Sequence, residues 1–208
     1  QVAVMSTAQI AALETEDFAK LTTTVVSALT SAQAAKLTTD QVVALTTAQA
    51  AQLGTTAVAA LSSAQVAALE TVDLAKLSTD AIQSISTAAL AGLSAATQVG
   101  KLTTSQLALL SDAQVGALDT VDLAQLSTDQ VRALSTLGLS GLTTAQTASL
   151  GTDQVKNLTT TQVAALSSDQ IKALNTEQLA SLSTTQMAAL KASQVGGLET
   201  ADLVVMSS

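Results

Sequence analysis

Aliphatic residues recur at every eighth position along this chain, and the residues between them repeat as well. One unit is seen at 37–45, which reads Leu-Thr-Thr-Asp-Gln-Val-Val-Ala-Leu. Counting from Leu37, place one is aliphatic in every unit, from Met5, Leu13, Leu21 and Leu29 to Leu182, Leu190, Leu198 and Met206. Place two is usually Ser or Thr, place three Thr and place five Gln. Place six is mostly Val, Leu or Ile, and places seven and eight are small.

A period of eight fits neither a long helix nor a plain strand. Eight residues overshoot two helical turns by about 80°, so the leucines would spiral around a long helix instead of forming a stripe. Coiled coils tolerate repeats of about seven or eleven. In a strand, places one and six would face opposite sides. The chain must therefore turn once per octad, and the polar places say how. Thr38 followed by Gln41 is a capping box, in which the hydroxyl accepts from the N–H of Gln41 and the Gln side chain accepts from the N–H of Thr38. Leu37 and Val42 then hold the N′ and N4 places of a hydrophobic staple. These rules predict a helix of about six residues per octad. So short a helix is not stable alone and must stack on its neighbours.

The predicted fold is all-α, a solenoid or superhelix of very short helices with one per eight-residue repeat. A β-solenoid is the alternative, since Thr and Val favour strands. High Ala and Gln content and a shortage of corner-forming Asn and Gly weigh against it. Residues 1–208 read as a single repeat array. The octads run unbroken from Met5 to Gly92, gain one residue in a register slip at 93–101, and resume at Leu102. Solenoids usually end in polar caps that cover the core, and neither end reads as one. An excerpt of a longer array, with flanking domains, is expected.

Composition restricts the core and excludes several functions. About half the chain is apolar (48 %), but Trp, Tyr, His, Cys and Pro are absent and Phe18 is the one aromatic residue. A core of Leu, Val and Ala has to be thin, with backbones close together. The net charge is −8, and the cations Lys20, Lys36, Lys76, Lys101, Arg132, Lys156, Lys172 and Lys191 are scattered, which argues against nucleic acid. Every apolar run is cut by Ser, Thr or Gln far short of a span of about eighteen residues, so no membrane insertion is expected.

Candidate chemistry is sparse. Four octads, at 13–20, 69–76, 118–125 and 198–205, carry acids at places two and five: Glu14/Asp17, Glu70/Asp73, Asp119/Asp122 and Glu199/Asp202. Paired carboxylates suit Ca²⁺, which makes Glu70, Asp73, Asp119 and Asp122 the candidate metal ligands, though no glycine-rich ligand loop lies beside them. The preferred reading has each acid in a first helical turn, complementing the dipole. Asp40, Asp80, Asp129, Asp153 and Asp169, all at place four, are read the same way. No metal and no cofactor are therefore expected. Many hydroxyls are present, but without His or Cys there is no Ser–His or Cys–His pair, so the chain is not expected to be an enzyme. Asn157-Leu-Thr159 matches a glycosylation acceptor triplet.

The octads at 45–52, 61–68 and 158–165 resemble the Leu-Thr-Thr-Ala-Gln-Val-Ala-Ala tracts of very large, repetitive exported bacterial proteins, and the likeness extends over nearly the whole chain. It implies an extracellular or bacterial cell-surface setting and brings no catalytic residues. The segment 37–45 is also similar to the opening of the repeat in plant-pathogen TAL effectors. The longer repeat, base-reading loop and basic character of that family are missing, so DNA binding does not follow. The expected role is a structural spacer, stalk or filament-forming segment, with self-association end to end or side by side. The alternative is a binding module that displays a repeated Ser/Thr/Gln surface to glycan, ice or protein.

Overall fold

The computed structural model describes residues 5–93 and 97–206. They form α-helices numbered α1 (Thr7–Ala11) to α24 (Thr200–Met206), with a 3-10 turn over Val99–Lys101 and no strand among the described residues. Helices run from four residues, as in α4 (Ser31–Ala34), to seven in α24. The all-α solenoid is the fold observed. Residues 94–96 of the register slip at 93–101 lie outside the described residues.

The corner between helices is two residues of extended backbone. Leu166 ends α19 (Thr160–Ala165) at φ −60°, ψ 144°, and Ser167 opens α20 (Ser168–Ala173) at φ −72°, ψ 163°. Both conformations are ordinary for L-residues. Among the described residues there is no positive φ and no cis peptide bond. This is why the chain turns so often without proline and with few glycines. The capping box fixes where each helix restarts: in α5 (Thr39–Val43), the Gln41 N–H donates to Thr38 Oγ1 at 3.1 Å and the Thr38 N–H to Gln41 Oε1 at 3.0 Å.

Contacts divide the chain into two units, Gln1–Gln106 and Leu107–Ser208. In the first, helices three apart pack together: α5 against α8 (Ser63–Ala68), and α8 against α11 (Thr87–Leu90). The second repeats the rule, with α13 (Asp112–Ala117) on α16 (Thr136–Ser140) and α16 on α19. In both units the core is the place-six side chains, such as Val58, Leu74, Val131 and Ile171 at 0 % exposure, flanked by place-one leucines. Thr147 occupies place six with its hydroxyl donating to the Thr143 carbonyl at 2.9 Å, so the buried polar group is satisfied.

Small residues at place eight allow this close stacking. A Cβ added at Gly92 would lie 2.8 Å from the Ser63 carbonyl oxygen, and one at Gly141 would collide with the Asp112 backbone. Gly141→Ala should therefore destabilise the second unit by about 1–3 kcal/mol through overpacking. Ile171→Ala should cost about 2–4 kcal/mol through the cavity it leaves. Urea unfolding followed by circular dichroism measures both.

Candidate functional site

The repeated feature with the densest polar chemistry is the place-five glutamine. Gln162, on α19, shows its geometry. Its Oε1 accepts from the Thr159 N–H at 2.8 Å, as the capping box requires. Its Nε2 donates backwards to the carbonyls of Val131 (3.1 Å), Arg132 (3.0 Å) and Leu134 (2.8 Å), at the end of α15 (Thr128–Ala133). One amide thus starts its own helix and caps the C-terminus of a helix four earlier. Gln41, Gln65, Gln154, Gln170 and Gln194 each reach carbonyls 28 and 31 residues back in the same way. Gln98 and Gln106 reach 29 and 32 residues back. These amides are buried. Packing on the third helix and bonding to the fourth means that a turn of each solenoid closes after more than three helices and fewer than four.

Sequence reasoning assigned these glutamines to capping alone and missed the backward bonds. A signal was present. A capping box accepts Glu as readily as Gln, and Glu at a helix start would suit the dipole, yet Glu occurs at no place five in the chain. An amide accepts with one atom and donates with the other, which an ionised carboxylate cannot do.

The acidic octads break the ladder. Glu70, at the N-cap of α9 (Thr71–Leu74), is exposed and makes no capping bond, and Glu14 behaves likewise. Asp119 and Asp122 form a box of their own at α14 (Thr120–Gln125): the Asp122 N–H donates to Asp119 Oδ1 at 2.7 Å, and the Asp119 N–H to Asp122 Oδ2 at 2.9 Å. Asp73 and Asp122 are buried, at 1 % and 2 % exposure. Both oxygens of Asp73 and Oδ1 of Asp122 lack a hydrogen-bond partner. Burial pushes the Asp73 carboxyl above its ordinary pKa; the Thr47 hydroxyl approaches closely enough to offset part of that, and the Glu70 carboxylate adds to the rise. Burial likewise raises Asp122, against the Asp119 N–H, which lowers it, and the Asp119 charge, which raises it further. Asp17 is exposed and pairs with Lys20 at 3.3 Å, and Asp202 accepts from the Thr176 hydroxyl at 3.3 Å. So the structure brings together Glu70 with Asp73, and Asp119 with Asp122. Among the described residues no cluster of three or more His, Cys, Asp or Glu could hold a metal ion.

The other candidates lie apart from one another. Asp40, Asp129, Asp153 and Asp169 are exposed, and Asn157 is exposed with its Nδ2 donating to the Asp153 carbonyl at 2.8 Å. Two open surface hollows each contain one ionisable residue, Asp153 beside Ser127 and Gly151 in one, Glu70 between Val43 and Val72 in the other. Among the described residues no helix is long and apolar enough to cross a membrane.

An octad that folds into one helix, starts it with a Ser/Thr–Gln box and ties it back with the same Gln defines a helical repeat protein. The ALTTAQ repeat model matches residues 10–47, 66–104, 115–152, 148–176 and 163–200. The chain belongs to the ALTTAQ repeat family. A comparison with curated proteins found no match.

The ladder makes a quantitative prediction. Gln162→Ala leaves the part-buried Thr159 N–H and the buried carbonyls of the earlier turn without their partner and should lower the unfolding free energy by about 2–4 kcal/mol. Thr159→Ala, which removes only the cap, should cost about 1 kcal/mol. Equal losses in urea titrations would mean that the backward bonds add nothing.

Proposed function

We propose that this chain is a structural spacer, stalk or filament-forming segment of an exported bacterial protein, working at the cell surface or outside the cell without catalysis. The observation that carries this reading is where the polar groups are spent. The buried glutamine amides are committed to the backbone, and the N-cap hydroxyls of octads such as those opened by Thr38, Ser62 and Ser167 to helix starts. What repeats along the surface is regular and carries scattered ionisable groups. A device of this kind supplies reach, and adding octads lengthens it without new chemistry. The resemblance of the octads to exported tracts supports the location. Flanking domains, and self-association end to end or side by side, belong to the same reading.

A second reading rests on exposed place-three hydroxyls. Thr39, Thr55, Thr144 and Thr160 are exposed and lie one residue past the capping position. Their regular spacing would suit a glycan, ice or protein ligand. Saturable binding lost on changing these threonines to Ala, with folding kept, would favour it over the spacer.

The spacer predicts a particle whose maximum dimension in small-angle X-ray scattering grows by a constant increment with each set of octads added. A dimension that stays put as octads are added contradicts it.

A further inference from the structure

In the first unit, consecutive turns are joined at the place-five Gln amide, which supplies the donor that the earlier turn's carbonyls need. Gln65 donates from α8 to the carbonyls of Leu37 and Ala34 at 2.8 and 2.9 Å. Place five faces the same carbonyl even where its side chain is missing: in the second unit, a Cβ added at Gly138 would lie 3.3 Å from the carbonyl oxygen of Leu110, 28 residues earlier in the chain. One octad after Gln65 the place is Asp73. By the same spacing it falls opposite Leu45 and Val42, whose octad mates Leu37 and Ala34 receive Gln65.

Asp73 is almost fully buried and neither carboxyl oxygen has a hydrogen-bond partner. The Leu45 carbonyl likewise receives no hydrogen bond from a described residue. An ionised carboxylate has no proton to donate, so, beyond the partial relief that the Thr47 hydroxyl on α6 offers, two acceptors meet away from water, an arrangement that is costly. One proton changes this. The neutral acid carries an O–H that takes the part of the Gln Nε2–H.

We propose that Asp73 is a proton-operated joint between turns of the solenoid: ionised, it leaves the α5-to-α9 connection unlocked, and neutral, it donates to the carbonyl of the earlier turn and locks it. The inference rests on the ladder geometry and not on the spacer role. The surroundings leave the proton as the operating charge. Packed against α9 are α6 (Thr47–Ala50), which has no ionisable side chain, and the Val99–Lys101 turn, whose Lys101 is exposed. Asp40 on α5 is exposed as well, and Glu70, on the same octad, adds negative charge that opposes ionisation.

The sign of the pH effect follows. Burial raises the Asp73 pKa in the folded chain above its ordinary 3.8, so the folded state holds this proton more tightly than the unfolded state. The stability it contributes is complete below that ordinary value, and is lost as pH rises through the raised one.

The test compares the full chain with Asp73→Gln and Asp73→Asn, reading thermal midpoints between about pH 4 and about pH 7. Asp73→Gln, which restores the ladder residue, should melt several degrees above the natural chain at the upper pH, and the gap should close at the lower. Asp73→Asn, which cannot ionise, should show the same convergence if Gln proves too long for the site. A carbon-13 titration of the natural chain should place the Asp73 carboxyl midpoint above the ordinary Asp value. A gap that does not change with pH overturns the proposal. So does an ordinary Asp midpoint. Closure of the gap at neutral pH by millimolar calcium also overturns it, because a cation would then be the operating charge.

Discussion

The structure depends on a primary amide held in a place that water does not reach. A helix of four to seven residues leaves most of its backbone N–H and C=O groups without internal partners. Left unpaired in a core, those groups would cost more than a thin layer of Leu, Val and Ala could return. Glutamine resolves both ends together. Its oxygen takes the N-cap N–H of its own helix, and its nitrogen feeds the carbonyls that finish a helix on the preceding turn. In Gln162 all of these contacts lie between 2.8 and 3.1 Å. One side chain is therefore both a secondary-structure signal and a tertiary contact. That explains how octads too short to be stable singly become cooperative when stacked.

Much of the fold was legible because its signals are local. Thr38, Gln41, Leu37 and Val42 lie within a single octad, and rules for helix starts place each of them without knowledge of the rest of the chain. The extended corner follows too, since a cap residue in the β region and a preceding leucine need neither Gly nor Pro. The return interval was not legible. Whether a turn closes after three, three and a half or four octads depends on small angles at each corner, and the sequence does not print them. Without the interval, the partners of Gln41 at Ile10 and Leu13 cannot be named, and the amide reads as a cap alone. The exclusion of Glu from place five carried the missing information in plain sight.

The acidic octads show what the same ignorance cost at the candidate site. Glu70 and Asp73 look alike in sequence, three residues apart in a first helical turn. The fold gives the two neighbours different surroundings: Glu70 stays in solvent, and Asp73 is driven into the joint where an amide usually sits. A dipole partner and a buried, unpartnered carboxyl have opposite preferences for charge, and only the stacking distinguishes them. Elsewhere Asp40, Asp129, Asp153, Asp169 and Asn157 are dispersed over separate exposed positions.

The central claim is that glutamine side chains join one turn to another. Nuclear magnetic resonance of the Gln162 side-chain amide addresses it without altering the protein. The account predicts slowly exchanging Nε2 protons with Overhauser contacts to residues 131–134. Fast exchange typical of an exposed amide, with no contact to those residues, would contradict it.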